Sequence, residues 1–256
     1  MNWFWSGIIG FLAETGALAA FAGKFFKNVF KRPFEGREFL RQCYHLGNQS
    51  LFLVAVTGFI IGLVITLQSR PKMTELGADA WIPAMVGVSI IREIGPIITA
   101  LICAGRIGSG IGAELGSMRV TEQIDAMEVS GTHPIRYLVV TRVLATTLMI
   151  PILVLISDFV ALFGSFLIEN IKGDVSFVLY FDSVLNSLSL KDIIPSTIKT
   201  FFFGFAIGLV GCFKGYYCKN GTAGVGIAAN TAVVETSMVL FVLDFVAVLI
   251  TDLIFQ

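Results

Sequence analysis

Two adjacent charges stand inside a long apolar stretch of the chain. Arg92 and Glu93 fall within residues 81–110, where few other residues are ionisable. A charge at the centre of a membrane-spanning helix costs about 2.5–3.5 kcal/mol, so such residues face a cavity, the bundle interior or a partner. Pro96 lacks a backbone N–H and predicts a kink near residue 92. The pattern indicates a binding site, and an interhelical ion pair is the alternative.

Four further ionisable residues fall in other apolar stretches, namely Asp158, Lys199, Glu235 and Asp244. Series of carboxylates inside a membrane can form proton relays. These residues are scattered over three stretches, at no spacing that places them together. We therefore expect bonds between helices, or positions near the membrane surface, rather than a relay.

A polar segment, Ser117–Pro134, has a helical pattern with two faces. Val120, Ile124 and Met127 form an apolar face, and Glu122, Asp125 and Glu128 form an acidic stripe beside it. Gly131 and Pro134 are stop signals, so the pattern predicts a helix of about 13 residues. An amphipathic helix of this kind can insert into a groove on another protein. Packing of the segment on its own bundle is equally compatible with the pattern.

Metal, nucleotide and nucleic-acid chemistry have no signature in the sequence. The four cysteines and two histidines show no metal-ligand spacing, so no metal is expected. No GxxxxGK[ST] loop is present, so we expect the chain not to hydrolyse ATP. The formal net charge is zero, which gives no reason to expect a nucleic-acid partner.

Composition identifies the setting of these residues as a membrane. Hydrophobic residues make up 55% of the 256 and charged residues only 14%, against about 25% charged in soluble domains. A bilayer core requires about 20 apolar residues per helix. The sequence predicts an all-α integral membrane protein whose five spans lie at about 46–68, 81–110, 135–168, 193–215 and 225–251.

Lysine and arginine counts predict the orientation of the spans. The connections 24–45, 105–142 and 214–221 hold twelve of these residues, against four in 68–80, 169–192 and the C-terminus. Because cytoplasmic loops carry the excess, residues 105–142 are expected in the cytoplasm and the C-terminus outside. Whether residues 1–23 span the membrane or lie at its surface stays open. We divide the single domain, 1–256, into 1–45, spans 46–112, the polar region 113–134 and spans 135–256.

Several motifs in order resemble one family. The run REIGPIITALICAGRIGSGIGAELGSMRVTEQIDAMEVSGTHP is similar to the MlaE-type permeases, the membrane subunits of ABC lipid transporters that work with MCE-domain proteins. The similarity covers about 46–168 and, more loosely, FKGYYCKNGTAGVGIAANTAVV at 213–234. It implies five spans, an N-terminal helix lying in the membrane and a cytoplasmic coupling helix.

The resemblance also implies partners and site residues. Its members are homodimers with a lipid pocket between subunits, a cytoplasmic ABC ATPase that holds ATP and Mg, and a periplasmic MCE-domain partner. It assigns Glu93 and Arg92 to the pocket. Apolar residues at the end of the first span and in the turn after it would line the pocket or simply face lipid, namely Ile65, Leu67, Met73 and Leu76. Carried over by position, the ATPase-coupling residues are Arg119, Glu122, Ile124, Asp125, Met127 and Glu128.

Three functions follow as hypotheses. The first is a permease of a bacterial inner-membrane ABC transporter that moves phospholipid or a related lipid, without a cofactor of its own. The second is an ion-coupled carrier that uses Arg92, Glu93 and Asp158. The third is a membrane scaffold whose 117–134 helix only recruits a partner. ATP-independent transport in a proton gradient would favour the second, and absence of bound lipid the third.

Overall fold

The computed structural model describes residues 2–31, 35–219 and 221–255, with side chains between residues 12 and 254 of these ranges. The described part is helical and contains no strand. Its helices, numbered here in chain order, are α1 (Asn2–Val29), α2 (Gly36–Glu75), α3 (Asp79–Val120), α4 (Gln123–Val129), α5 (Ile135–Gly173), α6 (Phe177–Ser187), α7 (Leu190–Tyr216) and α8 (Gly221–Phe255).

Five of these helices are long and apolar enough to cross a membrane, namely α2, α3, α5, α7 and α8. The prediction of an all-α membrane protein with five spans is confirmed. Two spans contain wider π-helical turns, at Ile90–Ile94 and Ala104–Gly108 in α3 and at Ile135–Val140 at the start of α5. The wider turns change the direction of side chains on these helices.

The predicted helix ends are less accurate than the spans themselves. The sequence predicts the first span at about 46–68, but α2 extends from Gly36 to Glu75 and includes Arg70, Pro71 and Lys72, where a turn is expected. Likewise α3 continues to Val120. Hydropathy marks the part of a helix that lies in the apolar layer, whereas backbone hydrogen bonding continues into the polar residues beyond it.

Glycines allow the central helices to approach closely. A Cβ on Gly58 of α2 would lie 2.7 Å from the carbonyl oxygen of Ser157 on α5. A Cβ on Gly204 of α7 would lie 2.5 Å from the carbonyl oxygen of Thr146, also on α5. Small residues at such crossings permit the backbone contact that drives helix association in lipid. Gly204 and Gly208, one turn apart on α7, therefore both pack against α5 within one chain.

The 169–192 connection, predicted to be a loop, contains the helix α6. Tyr180 and Val184, one turn apart, are buried against Ile82, Val86 and Ala161. The hydroxyl of Tyr180 donates to Ser165 Oγ at 2.7 Å, and its burial raises the pKa of the phenol to about 12. The loop prediction is wrong because this amphipathic helix is too short to show in a hydropathy profile.

The N-terminal helix α1 is attached to the bundle by aromatic rings. Phe21 and Phe25 are buried, and their rings lie 5.6 Å from those of Phe213 and Phe205 on α7. Lys24 Nζ also donates to the hydroxyl of Tyr217 at 2.9 Å. These contacts fix the C-terminal half of α1 beside the end of α7. Its position in the plane of the membrane stays a prediction.

Candidate functional site

The charged pair of α3 lies on a π-helical turn. Ile90–Ile94 forms the wide turn, and the N–H of Gly95 bonds to the carbonyl of Ile90 five residues earlier. Pro96 cannot donate to the carbonyl of Arg92, and the wider turn accommodates this missing bond. The helix is therefore irregular where Pro96 predicts a kink. Such turns often occur at functional sites because they present side chains that a regular helix would not.

Lys199 connects the charged pair to two other helices. Its Nζ donates to Glu93 Oε2 at 2.6 Å and to Asp244 Oδ1 at 2.9 Å, and its side chain is 5% exposed. Lys199 lies on α7 and Asp244 on α8, so one ammonium links three spans. The interhelical ion pair that the sequence left open is the arrangement found for Glu93. A buried lysine needs such partners, because an unpaired charge in a low-dielectric interior is costly.

Arg92 extends this cluster toward the beginning of α7. Its Nη1 lies 3.7 Å from Asp192 Oδ1, and its Nε lies 3.9 Å from Glu93 Oε1. Both distances exceed a direct hydrogen bond, and the Arg92 side chain is 43% exposed. Arg92 is therefore the more available cation of the cluster.

A further carboxylate lies beside the π-helical turn. Asp158 of α5 is 7% exposed, and its Oδ1 has no hydrogen-bond partner among the described residues. This oxygen occupies the space that a side chain at Gly95 would fill. The expected bonds between helices are found for Lys199 and Asp244, which the sequence spacing alone did not bring together. Asp158 packs against the same turn. Glu235 lies elsewhere, paired with Lys214.

An apolar groove runs between α7 and α8 next to this cluster. The cavity measures about 360 Å³. It is lined mainly by aliphatic and aromatic side chains, including Ile194, Ile198, Phe202, Leu243, Val246 and Ile250. Lys199 belongs both to this wall and to a small polar recess that Arg92, Glu93 and Asp192 also line. The site combines a dry groove with charges at one side of it.

The groove residues are not among the predicted site residues, although the sequence contains a signal for them. Ile194, Ile198 and Phe202 follow each other at intervals of four on α7, as Val246 and Ile250 do on α8. This spacing makes a continuous apolar line on one side of each helix. An apolar helix face that contacts lipid has the same spacing, so the sequence alone does not distinguish the groove residues from a lipid-facing surface.

The four residues predicted to line the pocket lie elsewhere. Ile65 and Met73 pack against the cluster around Ile82, at the interface of α2, α3 and α6. Leu67 and Leu76 are exposed. The structure does not bring these residues into the groove between α7 and α8. Their role at a pocket between two subunits stays a prediction.

The acidic segment differs from the predicted 13-residue helix. α3 ends at Val120, Glu122 has a positive φ of 59°, and the short helix α4 covers only Gln123–Val129. A left-handed residue turns the chain sharply. The single continuous helix is therefore a wrong prediction.

The turn directs the apolar face of α4 inward. Ile124 is fully buried and Met127 packs partly against the core, so this face packs on its own chain. The carboxylates of Glu122, Asp125 and Glu128 remain exposed at the surface. Asp125 forms an ion pair with Arg119, and Glu128 accepts a hydrogen bond from the Tyr216 hydroxyl at 3.3 Å.

Exposed residues still leave α4 with a surface for contact. Glu122 and Asp125 are exposed. Val129, which is not among the predicted coupling residues, is 91% exposed. An apolar side chain among carboxylates is suited to anchor a partner surface.

Contacts show that the three basic connections lie at one end of the molecule. The Lys24–Tyr217 bond joins the first to the third, and the Tyr216–Glu128 bond joins the second to the end of α7. At the other end, the Arg70 guanidinium donates to the Glu169 carboxylate at 2.8 Å. The segregation agrees with the charge count that predicts the orientation.

Comparison with known proteins gives consistent matches over nearly the whole chain. A family model described as Permease MlaE matches residues 39–250. A probable ABC transporter permease protein of Rickettsia prowazekii is 38% identical over 97% of this chain and 95% of its own length. A probable ABC transporter permease protein of Synechocystis is 36% identical over 89% and 88%. Protein TRIGALACTOSYLDIACYLGLYCEROL 1, chloroplastic, of Arabidopsis thaliana is 34% identical over 88% and 64%.

Proposed function

Since the chain belongs to the MlaE permease family and is thus a permease subunit of an ABC transporter, we propose that it moves phospholipid or a related lipid between membranes. ATP hydrolysis belongs to a separate ATPase subunit, which holds the ATP and Mg. The proposal includes a homodimer in a bacterial inner membrane, a periplasmic MCE-domain partner and a C-terminus on the non-cytoplasmic side.

The observation that carries the proposal is the groove between α7 and α8 with Lys199 in its wall. Lipids combine apolar tails with a polar headgroup, and this site offers aliphatic walls beside Arg92 and Glu93. Its volume of about 360 Å³ falls within the usual range for small-molecule sites, about 300–1,000 Å³. A tail would occupy the groove while its headgroup contacts the charged recess.

The charged cluster also supplies a means of responding to the lipid. Lys199 holds Glu93 and Asp244 together when no ligand competes. An anionic headgroup near Arg92 would weaken the attraction between Lys199 and its two carboxylates. Because these residues lie on three spans, such a change alters how α3, α7 and α8 pack.

Coupling to the ATPase is assigned to the surface around α4. Glu122, Asp125 and Val129 are exposed there, and Arg119 is paired with Asp125. Ile124 and Tyr216 connect α4 to the core. A displacement of α4 by the ATPase is therefore transmitted directly to α3 and α7. Ile124 and Met127 therefore transmit the movement rather than touch the ATPase.

Two observations support the lipid and the orientation. The name of the Arabidopsis relative includes the name of a lipid, trigalactosyldiacylglycerol. The basic connections gather at the end that holds α4, which agrees with a cytoplasmic ATPase below that end.

Photo-crosslinking tests the groove directly. We would place p-benzoylphenylalanine at Phe202 in the groove, and at Phe159, which is 65% exposed on α5 and outside the groove, as the matched control. In the reconstituted complex, the proposal predicts phospholipid adducts at position 202 that change with ATP. Adducts at position 159 report bulk lipid and should not change. Equal, ATP-insensitive yields at both positions would argue against a transport groove here.

A further inference from the structure

A second cavity lies at the opposite, basic end of the membrane-spanning region. This cleft, of about 280 Å³, lies between the beginning of α2 and the last third of α3. Its walls are polar as well as apolar, and its lining includes Gln42, His45, Gln49, Ser50, Arg106 and Glu114. It shares no lining residue with the groove between α7 and α8.

Arg106 gives the cleft an unbalanced positive charge. Its Nε and Nη2 donate to Gln49, to the backbone carbonyl at 3.1 Å and to the side-chain oxygen at 3.2 Å. Within the described ranges, no carboxylate forms a salt bridge with it. Glu114, the acid in the lining, is already paired with Arg142 at 2.7 Å. Gln49 thus orients a guanidinium that retains three of its five N–H groups.

The buried hydroxyl of Ser50 independently indicates a ligand in this cleft. It lines the same cleft, is 1% exposed, and its hydroxyl has no hydrogen-bond partner in the described part of the chain. The hydroxyl of a serine in a helix usually donates a hydrogen bond to the backbone carbonyl one turn earlier. An unsatisfied buried hydroxyl costs free energy, so its persistence indicates a ligand that supplies the partner.

The remaining lining suits an anion with several oxygens. Gln49 Nε2 lies 2.8 Å from His45 Nε2, which leaves the other imidazole nitrogen available. A Cβ at Gly110 would meet no atom within 4 Å, so the space beside α3 is open at this position. A planar guanidinium with neighbouring hydroxyl and imidazole groups matches the geometry of a phosphate.

We propose that this cleft binds the phosphate group of a lipid in the cytoplasmic leaflet. The cleft lies where the apolar part of α2 begins, which is the level of lipid headgroups. The cleft's role rests on the proposed lipid transport and deepens it, by adding a headgroup contact at the end opposite to Lys199. Free phosphate has the same oxygen chemistry, but the depth in the membrane favours a headgroup.

The test compares two lipids that differ only in phosphate. The purified full chain in dodecyl maltoside is titrated with lysophosphatidic acid or with monoacylglycerol of the same tail, and binding is counted by native mass spectrometry. Charge-assisted bonds predict binding of the phosphate-bearing lipid that is about tenfold tighter. Arg106→Gln should abolish this preference, and Ser50→Ala should reduce it about threefold.

Arg41→Gln is the matched control. Arg41 is an exposed arginine on the same end of α2, outside the cleft, and its loss should leave the preference unchanged. An equal loss in Arg41→Gln would overturn the proposal in favour of general attraction to lipid phosphates. Displacement of the lipid by millimolar inorganic phosphate would overturn the headgroup assignment. Since this binding requires no ATP, its failure is distinguishable from a failure of transport.

Discussion

Lys199 on α7 donates a 2.6 Å hydrogen bond to the carboxylate of Glu93 on α3, across 106 positions of sequence. The same ammonium reaches Asp244 of α8 at 2.9 Å. Three spans are therefore joined through one buried lysine in the wall of the groove. This arrangement makes the cluster a contact that stabilises the packing of these spans and, under the proposed function, the place where a lipid headgroup would act.

Removal of Lys199 should destabilise the bundle. Lys199→Met leaves Glu93 and Asp244 without their partner, and breaking a buried pair costs about 3–5 kcal/mol. Because Glu93 is 37% exposed, we expect the lower end, about 3 kcal/mol, after solvent screening. Thermal unfolding in detergent measures the loss. Lys219→Met, an exposed lysine beyond the end of α7, is the control and should have little effect.

The contact between Gly95 and Asp158 can be tested with a double-mutant cycle. Gly95→Ala forces a methyl group against the Asp158 carboxylate, so it should destabilise by about 1–3 kcal/mol. In the background of Asp158→Ala the same change should cost much less, which gives a coupling above about 0.5 kcal/mol. Gly105→Ala, which meets no atom within 4 Å, is the control. Additive effects would mean that the two residues do not touch.

Substitutions in α4 should separate folding from ATPase binding. Val129→Asp changes an exposed residue, so co-purification with the ATPase should fall about tenfold while thermal stability stays unchanged. Ile124→Ala removes a buried side chain and should cost about 2–5 kcal/mol of stability. The control is Val178→Asp, an exposed position at the other end of the molecule. A second variant replaces Glu122, Asp125 and Glu128 together by Lys. If this variant and Val129→Asp both co-purify with the ATPase as well as the wild type does, the assignment is contradicted.

The buried Tyr180 should make the stability of the protein fall at high pH. Burial raises the pKa of its phenol to about 12 from 10.0 in the unfolded chain. The contribution is complete below pH 10 and is lost as the pH rises from 10 to 12, because only the unfolded state then ionises readily. Chemical unfolding of wild type and Tyr180→Phe across this range measures it. The stability difference between them should shrink with rising pH, and a constant difference would contradict the burial of Tyr180.

The sequence predicted the five spans because long apolar runs determine them, but not the polar extensions of α2 or the helix α6. Helical hydrogen bonding does not stop at the membrane surface, and Tyr180 is buried by tertiary packing that hydropathy does not register. The predicted site residues Arg92 and Glu93 do lie in a charged cluster. Lys199 and Asp244 were not placed there, since residues 45 positions apart meet only through the folding of α7 against α8.

The position of α4 could be predicted only in part. Periodicity placed Ile124 and Met127 on one face correctly, but it did not show that the left-handed residue Glu122 turns this face onto the core. A non-glycine residue with positive φ is uncommon, and no residue type in this segment indicates it. The pattern leaves packing on the chain's own bundle and docking on a partner equally open, and the resemblance favours the partner, whereas the chain itself covers this face.

The most direct measurement is lipid movement by the reconstituted complex. Proteoliposomes that contain this chain with its ATPase and the proposed MCE-domain partner would carry a fluorescent phospholipid, whose transfer is followed with ATP or with a proton gradient alone. We predict transfer that requires ATP and that falls in the Lys199→Met variant. Transfer driven by the proton gradient without ATP would contradict the account and favour an ion-coupled carrier.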